Sequence, residues 1–258
     1  VGRKGGLAEK CMSVMPNANV QFVDQSMLSA QELMRDRDGL FHPVRFVDIA
    51  KDKNNRSLGY AKSSFQSLIL GFGETGQEVL RFLYEFGAFV GKDKRMSPSR
   101  IYAIDRRMSD LGGMFIHRCP GASYSSADNK RGRIVLEEMN VESASFFSFL
   151  SEHIQELNYV VVSLGNTRLN ERIGLAVLEY ALRNRKDALR HFAVLIHRCG
   201  RESIDHLELD LLSVYAAEKN YGPHVFTFGT AERIWRYEII SDSLIDEAAR
   251  HYFEAYQL

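Results

Sequence analysis

Hydrophobic residues along this 258-residue chain change their spacing near residue 65. Before it, the apolar positions come in short groups: Val20, Phe22 and Val23, then a helical spacing over 26–34, then a β-like run over 44–47. The stretch 52–56 is polar and turn-like. After residue 65, short β-rich runs centred on Ile69, Tyr102, Phe115, Val161, Val194 and Phe226 alternate with amphipathic stretches near 75–87, 143–157, 169–184, 203–219 and 243–256. Parallel neighbours need long crossovers, so this alternation predicts a parallel sheet with helices on both faces. Right-handed crossovers make the sheet doubly wound, and the expected class is α/β with Rossmann order 3-2-1-4-5-6. Residues 1–62 then read as a small N-terminal appendage with a linker over 54–64, residues 63–240 as the Rossmann domain, and 241–258 as a C-terminal helix leading toward a missing domain.

One junction in that pattern carries chemistry. The apolar run Ser67, Leu68, Ile69, Leu70 meets Gly71, Phe72, Gly73, Glu74, Thr75 and Gly76 just before a helical stretch. In a Gly-x-Gly-x-x-Gly turn the first glycine permits the bend, the second lets the backbone approach a pyrophosphate, and the third lets helix and strand pack closely. The helix N-terminus presents free amides and the positive end of its dipole to the phosphates. Strand, turn and helix together make the motif a nucleotide-binding signal that a purely structural turn has to be weighed against.

The next predicted strand ends in Asp105, where a carboxylate can accept hydrogen bonds from an adenosine ribose. Its offset from the loop is longer than the usual one because a polar loop over 91–99 intervenes. A carboxylate there favours NAD or NADH over a 2′-phosphorylated cofactor; Arg106 and Arg107 blunt that preference, since either can neutralise a phosphate. Gly165, Asn166 and Thr167 follow the fourth strand, beside the expected cofactor crevice. Asn166 or Thr167 either touches the ligand or caps the next helix.

Composition narrows the partners. Lys+Arg and Asp+Glu both number 33, so no net field draws the chain to nucleic acid. No apolar run approaches the ~20 residues of a membrane span, and three widely spaced cysteines, Cys11, Cys119 and Cys199, suit a reducing compartment. The expectation is a cytoplasmic protein. The Val1 start reads as an excised or processed segment.

Other signals are weaker. Tyr215 and Lys219 match a Tyr-x-x-x-Lys dehydrogenase pair, but neither the glycine spacing nor the Asn-Ala-Gly of that family accompanies them. Ile-His-Arg-Cys occurs twice, at 116–119 and 196–199. Placed on the third and fifth strands, the two copies would lie about 19 Å apart, too far for one metal to bridge. Neither a Gly-Lys-Ser/Thr phosphate loop nor a Gly-x-Ser-x-Gly elbow is present, so catalysis has no motif behind it.

Leu70 to Gly76, Ile104 with Asp105, the segment 136–141 and the segment 160–166 together resemble the RCK/KTN (TrkA-N-like) domains that regulate potassium channels and transporters. The resemblance covers 65–175, and insertions over 91–99 and around 120–132 depart from the compact family pattern. The lead-in around Val20–Val23 and His42-Pro43, and the ending over 246–256, resemble bacterial relatives in which a Rossmann unit precedes a ryanodine-receptor-like repeat. This implies a nucleotide sensor that binds NAD or NADH, with ADP, AMP and ATP as alternatives. The implied output is the gating of a downstream ryanodine-receptor-like domain or a membrane transport protein at the cytoplasmic face of the membrane. The implied site is Gly71, Phe72, Gly73, Glu74, Thr75, Gly76, Asp105, Arg106, Gly165 and Asn166, with no metal. The apolar C-terminal stretch suggests a homodimer or larger homo-oligomer. An NAD-dependent oxidoreductase is the alternative.

Overall fold

The computed structural model describes residues 24–35, 41–120, 133–187, 189–198 and 224–235. The run at Val20–Val23, the stretches 203–219 and 243–256, and the Tyr215–Lys219 pair lie outside the described residues.

An N-terminal helix α1 (Gln25–Arg35) and a 3-10 turn (Pro43–Phe46) precede a small antiparallel hairpin, β1 (Ile49–Lys51) with β2 (Ser57–Ala61). The main sheet follows as β3 (Phe65–Leu70), α2 (Glu74–Phe86), β4 (Ser99–Asp105), α3 (Met108–Arg118), β5 (Ile134–Glu138), α4 (Ala144–His153), β6 (Leu157–Val162), α5 (Thr167–Asn184), β7 (Ala193–His197), β8 (Val225–Phe228) and α6 (Ala231–Ile234). The strands lie in order β5-β4-β3-β6-β7-β8, all parallel. This is the doubly wound Rossmann-type sheet, and the strand order reverses between β3 and β6.

Central strands of such a sheet are covered on both faces and therefore read as unbroken apolar runs. All six residues of β3 and all six of β6 are buried. On one face, α2 packs a stripe of Val79, Leu80, Phe82 and Leu83 together with Phe115 of α3. On the other, α4 contributes Phe146 and Leu150, and α5 contributes Ile173, Val177, Leu178 and Ala181.

Three expectations need correction. Phe115 does not seed the third strand; it is a buried residue of α3. Met108, Gly112 and Phe115 recur at helical spacing on one face, and that periodicity overrides the β-branched look of Phe115-Ile116. The third strand is β5, whose glutamates and edge position disguised it. The run 44–47 is not a strand either, because Pro43 opens a 3-10 turn there. The proposed linker over 54–64 contains β2, with 52–56 forming the hairpin turn, in which Asp52 Oδ1 accepts from the amides of Asn54 and Arg56.

The described residues of the N-terminal appendage also join the main core. Ala30, Leu33, Phe41, Phe46, Val47 and Ala61 belong to the same hydrophobic core as β3 and α2. The fully buried Tyr159 hydroxyl of β6 donates to the carbonyl of Phe41 at 2.7 Å, and the Phe46 ring packs 5.7 Å from the Tyr159 ring. Phe41 meets Phe226 of β8 edge-on at 5.3 Å. The described residues of 24–61 thus cover the β6-β7-β8 half of the face that α2 and α3 cover over β3-β4-β5.

Candidate functional site: the glycine loop at the carboxyl edge of the sheet

The three glycines of the loop differ in what surrounds them. Gly71 has φ +95°, and a Cβ there would sit 2.4 Å from the Ser163 carbonyl oxygen. A Cβ at Gly76 would sit 2.0 Å from the Gly71 carbonyl oxygen. Both positions are closed by the protein's own backbone, which brings β3, α2 and the end of β6 into contact. Gly73, at φ −67°, has nothing within 4 Å of a Cβ position. The fold therefore does not require glycine at 73, whereas an approaching pyrophosphate would.

Gly73 is the N-cap of α2 and supplies no side-chain cap, in contrast to Ser143 on α4 and Asn166 on α5, which each bond an amide of their own helix. An uncapped helix start needs its amide acceptors from elsewhere, and an anion is a suitable one. Exposed Glu74 stands in the first turn, where its charge favours the helix dipole but competes with phosphates.

Asp105 ends β4, and its carboxylate holds the loop in shape. Oδ2 accepts from the Phe72 amide at 2.8 Å and Oδ1 from the Arg107 amide at 2.9 Å. A carboxylate offers about four lone-pair sites, so two remain for ribose hydroxyls after these bonds. Its orientation is fixed before a ligand arrives. The Phe72 side chain is fully buried, 5.2 Å from the Phe115 ring, so only its backbone belongs to the loop surface. Gln77, which the sequence reading missed, donates from Nε2 to the Phe72 carbonyl at 3.1 Å and braces the loop from α2. Arg106 and Arg107 are exposed beside Asp105. Glu138 at the end of β5 accepts from the Ser109 hydroxyl and amide, which holds its carboxyl below the usual range and places its charge at the start of α3.

At the end of β6, Gly165 has φ +84° with open space at its Cβ position. Asn166 caps α5, its Oδ1 accepting from the Leu169 amide at 2.9 Å. The Asn166 cap reading is thus the one the geometry contains. Ser163 Oγ donates to the Gly71 carbonyl at 3.1 Å. Buried Asn170 accepts from the Leu164 amide and donates to the His197 carbonyl, each at 2.7 Å, tying β6 to β7.

Beyond the strand reversal the edge is occupied by the chain itself. His197, the last residue of β7, is buried against Phe228 and Gly229, and burial pushes its imidazole down to about 4, so it is neutral at pH 7. Its Nε2 lies 3.4 Å from Ser29 Oγ of α1. Buried Glu32, three residues on, accepts from the Gly229 amide at 2.7 Å and pairs with Arg233 Nε at 2.6 Å. Arg233 in turn donates to the Thr227 carbonyl and lies over the Phe41 ring. At the other end of α1, Thr75 Oγ1 lies 3.2 Å from Ser26 Oγ. Sequence spacing gave no hint of Ser29, Glu32 or Arg233, because nothing local links α1 to residues near 229.

Among the described residues no cluster of His, Cys, Asp or Glu could hold a metal ion. His117 is exposed at the end of α3 with Cys119 just beyond it, whereas His197 is buried at the end of β7, and Cys199 lies outside the described residues. No helix among the described residues is long and apolar enough to cross a membrane.

No family model matches the chain, and no curated protein does. Among solved structures it is similar to the PH0520 protein of Pyrococcus horikoshii OT3, at 13% identity and TM-score 0.36, over 84% of this chain and 60% of that one. It is also similar to apo D-lactate dehydrogenase of Escherichia coli, at 12% identity and TM-score 0.31, over 90% of this chain and 67% of that one. Salmonella D-lactate dehydrogenase aligns at 12% identity and TM-score 0.32, over 88% of this chain and 66% of that one. The chain spans three-fifths of the first of these proteins. Likenesses at this level carry no argument about activity, and the fold assignment stands on the strand order and crossovers described above.

Proposed function

We propose that this chain binds an adenine nucleotide on the glycine loop and acts as a nucleotide sensor. NAD(H) is the first candidate, with ADP, AMP and ATP as alternatives. The carrying observation is Gly73: it lines an uncapped helix start, faces open space, and is the one loop glycine that the protein's own packing does not explain. In this reading the α2 N-terminus and the loop amides take the phosphates, and Asp105 accepts from the ribose hydroxyls. Arg106 stands beside the adenosine, with Gly165 and Asn166 across the crevice. Bound nucleotide then biases a partner domain or an ion-transport protein, as the RCK/KTN resemblance implies; this needs only unequal affinity for two conformations. Titration calorimetry with ADP and NAD(H) tests it, and absence of heat at millimolar ligand with both would end the reading.

An NAD-dependent oxidoreductase is the second reading, and His197 favours it. Its imidazole stands at the carboxyl end of β7, on the side of the edge where a nicotinamide would run. A substrate screen that gave hydride transfer lost in His197→Asn would replace the sensor reading.

A further inference from the structure

A Rossmann sheet consists of two mononucleotide-binding halves, and a dinucleotide lies across both at the carboxyl edge. Here the β3-β4-β5 half carries the glycine loop and Asp105. The β6-β7-β8 half carries α1. Ser29 meets His197 at the end of β7, and Glu32 meets Gly229 just past the end of β8. Three helical residues advance about 4.5 Å, close to one strand spacing of about 4.8 Å, so α1 runs across the strands along their carboxyl ends. Its first turn reaches back to the glycine loop through Ser26 and Thr75.

Resting on the glycine-loop reading above, we propose that α1 is a latch that closes the second half-site. With α1 latched, the site takes an adenine mononucleotide, AMP or ADP; NAD(H) binds only when α1 leaves the edge. The latch is built from buried polar groups rather than from apolar packing alone. Glu32 is 3% exposed and its carboxylate is shared between the Gly229 amide and Arg233, while Ser29 is fully buried against His197. Leu28 adds a contact with Ile234 of α6, and Ala30 and Leu33 pack into the main core. Removing α1 exposes these groups to water, where they hydrate readily, so release costs less than opening an equal area of pure hydrocarbon. Release also frees the Thr75 hydroxyl at the phosphate end of the site. The two ligand classes are therefore distinguished by whether they leave α1 in place.

A released population of about 1% or less weakens NAD(H) by about 100-fold or more relative to its affinity for the open form, while ADP is unaffected. The chain supplies its own reporter: Trp235 is the single tryptophan and directly follows Ile234, which packs on α1.

The experiment measures ADP and NAD+ affinity by calorimetry, and Trp235 emission, in the full chain and in Glu32→Ala. The expected result is that ADP leaves Trp235 emission unchanged in the unaltered chain, whereas saturating NAD+ shifts it. Glu32→Ala then tightens NAD+ at least tenfold and changes ADP affinity less than twofold. Ser29→Ala, a smaller change, moves NAD+ in the same direction by several-fold and serves if Glu32→Ala fails to fold. NAD+ affinity unchanged in Glu32→Ala and Ser29→Ala, or NAD+ binding with no response at Trp235, would overturn the latch while leaving the glycine-loop reading intact. Binding of neither nucleotide would instead remove the glycine-loop reading on which the latch rests.

Discussion

The two halves of the carboxyl edge have the same strand architecture and opposite surroundings. Around β3-β4-β5 the backbone is crowded where it must turn, at Gly71 and Gly76, and open where a ligand would approach, at Gly73. Around β6-β7-β8 the edge is filled from within by Ser29, Glu32 and His197, each buried and hydrogen-bonded. The difference teaches that parallel strand ends do not by themselves make a site. The β6-β7-β8 half has its free polar groups met by the chain itself, and the β3-β4-β5 half leaves the start of α2 without a side-chain cap.

The comparison breaks most violently if the loop glycines are interchangeable. Gly76→Ala puts a methyl group against the Gly71 carbonyl, where only backbone could give way. We expect a loss of at least about 3 kcal/mol in urea unfolding, at the upper end of overpacking costs. Gly73→Ala, with nothing near its Cβ, should change stability by less than about 1 kcal/mol. Equal losses at the two positions would erase the distinction between a glycine the fold needs and one it leaves open.

The filled half is sharpened by pH. His197 has a folded value of about 4 against 6.5 unfolded, so its neutral form contributes stability that is complete above pH 6.5 and is lost as pH falls toward 4. Two and a half units correspond to about 3 kcal/mol. His42 and His191 are lowered by burial too and add to the slope. Thermal melts of His197→Asn should show a visibly flatter decline between pH 6.5 and 4; an unchanged slope would mean that His197 is not the buried group described here.

Tyr159→Phe probes whether residues 24–61 belong to the same half. It leaves the Phe41 carbonyl without the buried hydroxyl that bonds it, a loss of about 1–3 kcal/mol in urea unfolding. A neutral result would detach the N-terminal segment from the core.

The open half was readable from sequence and the filled half was not, for a physical reason. The glycine loop, its strand and its helix are contiguous, so spacing alone reports them. The place of Asp105 at a strand end was legible because strand ends recur in a known order, although its bonds to the Phe72 and Arg107 amides were not. β5 was misplaced because an edge strand carrying Glu137 and Glu138 loses the apolar continuity of β3 and β6, while the helical face of Met108, Gly112 and Phe115 looked β-like over too short a window. The latch joins residues 29 and 32 to 197, 229 and 233, and no local pattern encodes a pairing across so much chain.

Gly73→Val is the direct test of the nucleotide site, because it puts a side chain into the space a phosphate would use from a position where an added Cβ has nothing within 4 Å. At ADP about 100-fold above its dissociation constant, binding adds about 2.7 kcal/mol of stability. For a domain of this size the melting temperature of the unaltered chain then rises by roughly 5–10 °C. The account predicts that Gly73→Val melts within about 2 °C of the unaltered chain in the absence of nucleotide, a difference that corresponds to less than about 1 kcal/mol, and shows no shift with ADP. A full ADP shift in Gly73→Val, or none in the unaltered chain, would contradict it.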